Sequence, residues 1–315
     1  MSTPFVSVCM PVSRSVAEVT QSLNSALGQS FRDIEVLVSD DVGHGRQAVD
    51  RADDERVLYW RNSPSLGFTG NHEALLGRAR GQLIAFLHDD DRWEPSYLDE
   101  AVRRLAASPA AGFVITAHRE TPDGPASSHP PSGCYADALS VLLDPQVRLL
   151  PSATVMRRAI LPDVRRPWPS LSCGDMVLYL DAAVAGWGVA VIDTALVHYA
   201  RHPKQISADA TGFREDLARL FELYRFDDPA VERLRRSRLG MSRLSAARAH
   251  LRTGRHRDVR ANVADARAAR PGARSCLEGA ALIALSQRPT LLRATLGAWY
   301  VIRGVPATAR SGRAG

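Results

Sequence analysis

The sequence predicts an α/β protein with a mostly parallel sheet and an all-helical region at its C-terminal end. Over residues 5–199, short apolar runs alternate with segments in which apolar residues recur every three or four positions. Such alternation is typical of a parallel sheet flanked by helices. From about residue 211 only helical patterns remain, interrupted by the helix breakers Pro229, Gly254, Pro271, Gly272 and Pro289. We therefore expect an α/β domain over residues 1–208 and a helical extension over residues 209–315.

The elements of the predicted α/β domain follow one another in regular order. Apolar runs predict strands at residues 5–10, 34–38, 56–60, 83–87 and 112–116. A helix with one buried face between the first two runs is predicted by the three-and-four spacing of Val16, Val19, Leu23 and Leu27. Further helices are predicted over residues 71–80, from Pro95 onward and over residues 175–185. Two short apolar runs, 189–192 and 195–199, follow the last of these helices.

One long loop is predicted inside the α/β domain. Residues 121–136, with the sequence TPDGPASSHPPSGCYA, are dominated by Pro, Gly and Ser, which favour loops over helices and strands. A loop of this length in a compact domain is usually functional or disordered. Ordered structure is expected to resume at about Ala138.

The composition is that of an ordinary globular protein. Hydrophobic residues make up 45% of the 315 residues, and no segment approaches the ~18 uninterrupted apolar residues of a membrane span. The first residues, MSTPFVSVCMPV, have neither the charged leader nor the long apolar stretch of a signal peptide. The cysteines show no paired spacing of the kind found in zinc or redox motifs. We therefore expect a soluble protein in a reducing cytoplasm.

The net charge of +6 is divided unevenly along the chain. Residues 211–315 hold 21 Arg against 9 acidic residues and carry +12, whereas residues 1–210 carry −6. Basic tails often contact nucleic acid or anionic lipid, but Lys204 is the only lysine and the Arg-rich, Ala-rich usage resembles GC-rich coding. We expect no nucleic-acid partner. For the amphipathic helix predicted at 291–303, peripheral membrane contact and packing onto the α/β domain both stay open.

A cluster of acids follows the fourth predicted strand and consists of Asp89, Asp90 and Asp91, preceded by His88. Ligands of open α/β sheets bind beyond the carboxyl ends of the strands, so the cluster faces a predicted crevice. Carboxylate oxygens at such a place suit Mg²⁺ or Mn²⁺ that bridges to the phosphates of a nucleotide. The alternative is an Asp-rich turn that only caps the helix opening at Pro95.

Two other strand ends carry residues that point to the same crevice. Pro11, Val12 and Ser13 end the first strand, and Asp40 and Asp41 end the second. An acid at the second strand can accept a hydrogen bond from the N3–H of uracil or from ribose hydroxyls, while the fourth strand end holds metal and diphosphate. The alternative for Asp40 and Asp41 is a turn with exposed acids.

Five stretches of the chain carry a family resemblance: VSVCMPVSR, SLNSALGQSFRDIEVLVSDD, NSPSLGFTGNHEALLGRARGQLIAFLHDDDRWEP, CGDMVLYLDAAVAGWGVAVID and ALVHYARHPKQIS. In order and spacing they resemble the family 2 glycosyltransferases of the GT-A fold, a Rossmann-like sheet flanked by helices, over roughly residues 4–207. The resemblance implies an inverting transfer of a sugar from a nucleotide-diphosphate sugar, with a UDP-sugar as the expected donor. It also implies Mn²⁺ or Mg²⁺ as cofactor and a hydroxyl of a glycan, lipid-linked or small-molecule acceptor.

The strand ends and the resemblance together assign candidate residues to each part of the site. The expected catalytic base is Asp175, the acid that opens a late helix. The expected metal contacts are Asp90, the last acid of the Asp-x-Asp triplet, and His202. The expected donor contacts are Pro11, Ser13, Asp40, Asp41, Gly67, Asn71, Asp89 and Arg201. The loop at residues 121–150 and the helical extension are expected to meet the acceptor.

Two positions depart from the family pattern. His88 stands where the Asp-x-Asp triplet usually begins, and Gly174 stands where a Glu usually precedes the base. We interpret His88 as a structural residue of the strand end, with Asp89 as the candidate to replace the missing acid. Asp175 also stands where a helix N-cap is expected, so capping is an alternative role for it.

Three other classes of protein share parts of this pattern. A dinucleotide oxidoreductase needs a glycine-rich turn after its first strand, and residues 10–14 contain no glycine. The lack of a glycine-rich, basic loop there also disfavours a sugar-phosphate nucleotidyltransferase of similar fold. A non-catalytic binding protein with the same fold stays open, because both departures fall in the predicted site.

Overall fold

The computed structural model describes residues 3–202, 205–206 and 211–287. These residues form two compact units. The first, the sheet unit, contains the described residues up to 206 together with residues 224–234. The second, the helical unit, contains residues 211–223 and 235–287. The domain boundary at residue 208 stays a prediction.

The sheet unit is built from strands and helices that alternate along most of its length. In chain order, the strands are β1 Val6–Val12, β2 Ile34–Asp40, β3 Val57–Arg61, β4 Leu83–Phe86, β5 Arg92–Trp93, β6 Ala111–Arg119, β7 Gly133–Tyr135, β8 Thr154–Arg157 and β9 Gly188–His198. The accompanying helices are α1 Val16–Leu27, α2 Gly45–Ala52, α3 Gly67–Arg78, α4 Tyr97–Ala106, α5 Ala138–Leu143 and α6 Met176–Val184.

All these strands belong to one sheet, in the order β3-β2-β1-β4-β8-β6-β9-β5, with β7 also paired to β9. The β1–β2, β1–β4, β2–β3 and β6–β9 pairs are parallel. Because β8 is antiparallel to both β4 and β6, those two strands point the same way. The carboxyl ends of β1, β2, β4 and β6 therefore meet at one edge, and the predicted mostly parallel α/β sheet is confirmed.

Burial on both faces explains why the strands are continuous apolar runs rather than alternating ones. In β1, six of the seven residues are buried, and only Pro11 is half-buried. All seven residues of β2 are buried. Helices cover both faces of such a sheet, so side chains of both orientations face the core.

The structure differs from the predicted elements where strands are short. β5, β7 and β8 have two to four residues and were not predicted, and β7 lies inside the predicted loop 121–136. Runs this short carry no periodicity that distinguishes strand from loop. The two apolar runs after α6 are one strand, β9, which exposes Asp193 and Thr194 in its middle.

The helical prediction for the C-terminal region is confirmed for its described residues. The helices there are α7 Gly212–Glu222, α8 Pro229–Arg252, α9 His256–Ala269 and α10 Ala273–Gln287. In the helical unit, Leu244, Val263 and Leu282 belong to one apolar core. None of the described helices has the length and apolar character needed to cross a membrane. The helix predicted at 291–303 lies outside the described residues.

Candidate active site

Asp89 joins the ends of β1 and β4. Its Oδ2 atom accepts hydrogen bonds from the backbone N–H groups of Ser13, at 2.5 Å, and Arg14, at 2.7 Å. The side chain is buried, and burial raises the pKa of Asp89 to about 7. Two strand ends predicted to share a crevice thus lie in direct contact. Asp89, a predicted donor contact, holds the β1–α1 turn, and the predicted contact Ser13 donates its backbone N–H to Asp89.

Asp90 faces His202. The Oδ2 atom of Asp90 lies 2.9 Å from Nε2 of His202 and 3.7 Å from Nε of Arg14. The two predicted metal contacts are therefore side by side. A carboxylate oxygen suits Mn²⁺ and Mg²⁺, and an imidazole nitrogen is tolerated better by Mn²⁺ than by Mg²⁺. A cation shared with a nucleotide takes its other ligands from water and phosphate. Within residues 3–202, 205–206 and 211–287, no group of three or more acidic, His or Cys side chains forms a ready-made cage.

Asp91 holds the segment that carries His202. Its Oδ1 atom accepts from the backbone N–H of Ala200 at 3.0 Å, and its carbonyl accepts from Ser22 Oγ at 2.7 Å. Burial, followed by repulsion from Asp90, raises the pKa of Asp91 to about 8. Asp91 thus positions the segment before His202. The sequence analysis did not distinguish this role from those of Asp89 and Asp90.

His88 is paired with a second histidine. Its Nε2 atom lies 3.2 Å from Nε2 of His72, whose Nδ1 lies 2.8 Å from the carbonyl oxygen of Phe68. A carbonyl only accepts, so Nδ1 of His72 carries the proton. Burial lowers the pKa of His72 to about 3, so the ring is neutral and its Nε2 accepts from His88 Nε2–H. His72 was not predicted as a site residue. Its contact with His88 gives His88 a structural hydrogen bond, as we interpreted it from the sequence.

Asp40 is committed to the turn that follows β2. The side chain is buried, and Oδ1 accepts from the backbone N–H groups of Val42 and Gly43, at 2.9 and 2.7 Å. Its Oδ2 accepts from the Gly45 N–H at 2.7 Å and the Tyr59 hydroxyl at 3.0 Å. Both carboxylate oxygens are therefore occupied, and the donor contact predicted for Asp40 is not favoured.

Asp41 organises the loop that leads into α3. Its carboxylate accepts from Asn62 Nδ2 at 2.8 Å, from Ser65 Oγ at 2.9 Å and from the Gly67 N–H at 2.9 Å. Gly67 has a φ of +68°, a conformation that glycine adopts without strain. Asp41 is half-buried and Gly67 is exposed, so the two predicted donor contacts are joined at a partly exposed rim beside the end of β2.

Asn71 and Pro11 both lie beside Ser39 of β2. Asn71 is buried on α3, and its Nδ2 donates to the carbonyl oxygen of Ser39 at 3.1 Å. Its Oδ1 has no hydrogen-bond partner among the described residues. Pro11 is half-buried on β1, where it is paired with Ser39 of β2. Asn71 therefore keeps one acceptor for a ligand or water.

Asp175 precedes α6 and does not cap it. The residue is at the N-cap position, yet its side chain makes no capping hydrogen bond. Asp175 is 4% exposed, and burial raises its pKa to about 7. The capping alternative is therefore not observed, and a carboxylate with a pKa near neutrality suits a general base.

The loop before α6 explains Gly174. A Cβ atom at this position would lie 2.9 Å from the carbonyl oxygen of Pro169 and 3.2 Å from that of Leu171. The backbone of the preceding loop therefore occupies the space that a side chain at position 174 would need. The same Cβ would lie 3.4 Å from Oγ1 of Thr69, so the residue before Asp175 lies against α3.

Arg201 lies away from the acidic turn. Its Nε atom is 3.4 Å from Oε2 of Glu120, just beyond the end of β6, and about half of its side chain is exposed. The predicted diphosphate contact is therefore paired with a different acid in this structure. Its neighbour His202, by contrast, lies on Asp90.

The sheet topology, with acids at the carboxyl ends of its strands, is that of the GT-A fold. Residues 7–164 match the family model described as glycosyl transferase family 2. The chain belongs to glycosyl transferase family 2.

Individual relatives are similar over part of their length. A Campylobacter jejuni protein, GalNAc(5)-diNAcBac-PP-undecaprenol beta-1,3-glucosyltransferase, is 32% identical over 93 residues, which cover 28% of this chain and 30% of that protein. The chain spans between 30% and 57% of the length of the curated relatives it matches.

Solved structures share the fold over most of the chain. The Staphylococcus aureus TarS 1-349 complex with UDP-GlcNAc has a TM-score of 0.63 and 16% identity, and the match covers 90% of this chain and 92% of TarS 1-349. The mannosyltransferase PcManGT of Pyrobaculum calidifontis, in complex with GDP-Man and Mn²⁺, has a TM-score of 0.60 and 18% identity. That match covers 96% of this chain and 87% of PcManGT. At 16% and 18% identity, these two comparisons show a shared fold and nothing more.

Proposed function

We propose that this protein transfers a sugar from a nucleotide-diphosphate sugar, with UDP as the nucleotide, to an acceptor hydroxyl with inversion at the anomeric carbon. The observation that carries the proposal is the contact between Asp90 and His202, 2.9 Å apart at the carboxyl edge of the sheet. Membership of glycosyl transferase family 2 supports the reaction class.

On the donor side, Asp90 and His202 would hold Mn²⁺ or Mg²⁺. When bound, such an ion neutralises the negative charge that grows on the leaving diphosphate. Asp89 and Asp91 keep the two contacts in place, because they tie the acidic turn to the start of α1 and to the segment after β9. Asn71 Oδ1 is the proposed nucleotide contact, and Asp41, whose two carboxylate oxygens bond to the loop before α3, positions that loop.

On the acceptor side, Asp175 acts as the general base. It takes the proton of the acceptor hydroxyl while that oxygen forms its bond to the anomeric carbon and the bond from that carbon to the diphosphate oxygen breaks. A carboxyl with a pKa of about 7 holds this proton better than an exposed Asp does, yet is largely ionised at slightly alkaline pH.

The acceptor is proposed to be lipid-linked. The names of relatives in Campylobacter jejuni and Escherichia coli specify sugars on diphosphoundecaprenol as their acceptors. The charge of +12 over residues 211–315 supports peripheral contact with an anionic membrane from the cytoplasmic side.

The test of the proposal is calorimetric titration of UDP and UDP-sugars, with Mn²⁺ and with EDTA. Binding that requires the metal, together with slow metal-dependent hydrolysis of one UDP-sugar without acceptor, is the expected result. Absence of nucleotide binding under any metal condition would identify the chain as a non-catalytic member of its family.

A further inference from the structure

A second group of polar residues lies at the carboxyl end of β6, and the proposed transfer step does not use it. We name it the β6 cluster; it consists of His118, Glu120, Arg148, Tyr199 and Arg201, with Thr116 two residues before His118 on β6. The cluster draws on β6, on the segment after β9 and on the stretch that follows α5. Its members are therefore brought together only by the fold.

Two buried residues on β6 have side chains without a hydrogen-bond partner in the part of the chain that the structure describes. The hydroxyl of Thr116 and both ring nitrogens of His118 are unpaired among the described residues, although Thr116 is 0% and His118 is 1% exposed. Most buried polar atoms in native proteins are paired, so three such atoms within three residues indicate a missing partner. That partner is a bound molecule or water.

The state of His118 indicates the chemistry of this partner. Burial, followed by the nearby charges of Arg148 and His129, lowers the pKa of His118 to about 4. At neutral pH the ring is uncharged and offers one N–H donor and one acceptor nitrogen. A hydroxyl also donates and accepts, so sugar hydroxyls match His118 and Thr116.

The exposed side of the β6 cluster is positively charged. Arg148 and Arg201 both pair with the single carboxylate of Glu120, through Oε1 and Oε2 respectively. About half of each arginine side chain is exposed. Two guanidinium groups that share one carboxylate leave an excess positive charge, and guanidinium groups bind phosphate through paired hydrogen bonds.

The β6 cluster is continuous with the proposed donor crevice. The backbone N–H of Tyr199 donates to the carbonyl of Arg119 at 2.8 Å, and the N–H of the next residue, Ala200, donates to Asp91 at 3.0 Å. Two residues further on, His202 contacts Asp90. A ligand at the cluster therefore lies beside the acidic turn.

We propose that the β6 cluster is the acceptor subsite and that the acceptor sugar carries a phosphate group. This inference rests on the proposed transferase function. His118 and Thr116 bind hydroxyls of the sugar, and Arg148 with Arg201 binds the phosphate. The ring of His129, 6.3 Å from that of His118, lies beside this subsite.

The test is calorimetric titration of N-acetylglucosamine 1-phosphate into the full chain and three variants. Arg148→Gln removes a charge, and His118→Leu removes both unpaired nitrogens. Each should weaken binding by about tenfold or more. Arg103→Gln is the matched control, since Arg103 is an exposed arginine paired with Asp99 and Glu100 on α4, and should bind as wild type does.

A second measurement separates binding from folding. Because His118 makes no hydrogen bond to another described residue, His118→Leu should keep or raise the melting temperature while it loses the sugar phosphate. UDP with Mn²⁺ should bind all variants equally. A chain that binds UDP but not the sugar phosphate, or variants that bind it like wild type, would overturn the acceptor subsite. Failure of wild type to bind UDP would instead overturn the transferase proposal.

The source of the phosphate is distinguished by one further titration. The same sugar is offered on a short, water-soluble polyprenyl diphosphate. Tighter binding than that of the free sugar phosphate supports a lipid-linked acceptor at this subsite, and equal binding supports a free sugar phosphate. Binding that is insensitive to Arg148→Gln for both compounds would overturn the assignment of the phosphate contact.

Discussion

The Nε2 atom of His202 lies 2.9 Å from Oδ2 of Asp90, although 112 residues separate them in the chain. Two hydrogen bonds of Asp89 and Asp91 maintain this contact from either side. Asp89 fixes the start of α1, and Asp91 fixes the backbone two residues before His202. The three consecutive acids therefore have different roles: Asp89 and Asp91 bond to the backbone of neighbouring segments, and Asp90 contacts His202.

Asp90→Asn should weaken Mn²⁺-dependent UDP binding by more than about tenfold. The amide keeps the size of the side chain but removes the charge that attracts the cation. Removing a negative charge beside Asp91 should leave the fold as stable or more stable, because Asp90 raises the pKa of Asp91. Calorimetry checks binding, and Asp99→Asn on the exposed face of α4 is the control. Equal UDP binding by Asp90→Asn and wild type would remove Asp90 from the site.

Asp175→Asn should bind UDP-sugar as wild type does and lose transfer by more than about 100-fold, the scale of general-base catalysis. Asparagine matches the shape of aspartate but cannot take a proton. Steady-state kinetics with an acceptor separate the two effects. Turnover within about tenfold of wild type, or roughly 1.4 kcal/mol of barrier, would show that Asp175 is not the base.

The raised pKa of Asp175 predicts a pH dependence of stability. In the unfolded chain this carboxyl ionises near its ordinary value of 3.8, whereas in the fold it ionises near 7. The folded state therefore loses stability as pH rises from about 4 to about 7, because only the unfolded state gains the favourable ionisation.

Asp175→Asn removes this cost. The variant should exceed wild type in unfolding free energy at pH 8 by on the order of 2–4 kcal/mol, and by much less at pH 4. Denaturant unfolding at both pH values measures this, and a difference that does not grow with pH would contradict the assignment.

His88→Asp should destabilise the protein by about 1–3 kcal/mol, the cost of leaving a buried acceptor unpaired. The aspartate cannot donate to Nε2 of His72 and adds a fourth acid to the turn. His88→Gln is the matched variant, since its amide can donate, and it should retain more stability than His88→Asp. If both variants unfold at the same denaturant concentration, the histidine pair contributes nothing specific. Donor affinity of His88→Asp with Mn²⁺ and with Mg²⁺ then tests whether the usual triplet restores metal binding.

Gly174→Ala should destabilise the loop before Asp175 by about 1–3 kcal/mol, the usual cost of overpacking. The added methyl would collide with the carbonyl of Pro169. Gly77→Ala on α3 is the control: nothing lies within 4 Å of the added atom, and alanine favours a helix. The control should be neutral or stabilising by thermal melting. Equal melting temperatures for the two variants would mean that the loop adapts freely.

Much of the fold was predictable from local pattern. β1, β2, β4 and α1 were predicted within two residues at each end, because each is either a continuous apolar run or a helix with one buried face. β5 was missed because two residues have no periodicity of their own, and β8 because its sequence TVMR lacks the continuous apolar run that marks β4. They form because neighbouring strands of the sheet offer them backbone partners.

By itself the sequence determined that an α/β sheet forms and that acids follow its strands, since both depend on residues that are adjacent in the chain. Only the tertiary structure decided which acids are available to a ligand. Both carboxylate oxygens of Asp40 accept hydrogen bonds from its own turn. Asp90, by contrast, contacts His202, which follows β9. The unpaired nitrogens of His118 were equally unpredictable. Hydrogen-bond partners come from elements far apart in sequence, and no local pattern encodes which of them the fold brings within 3 Å.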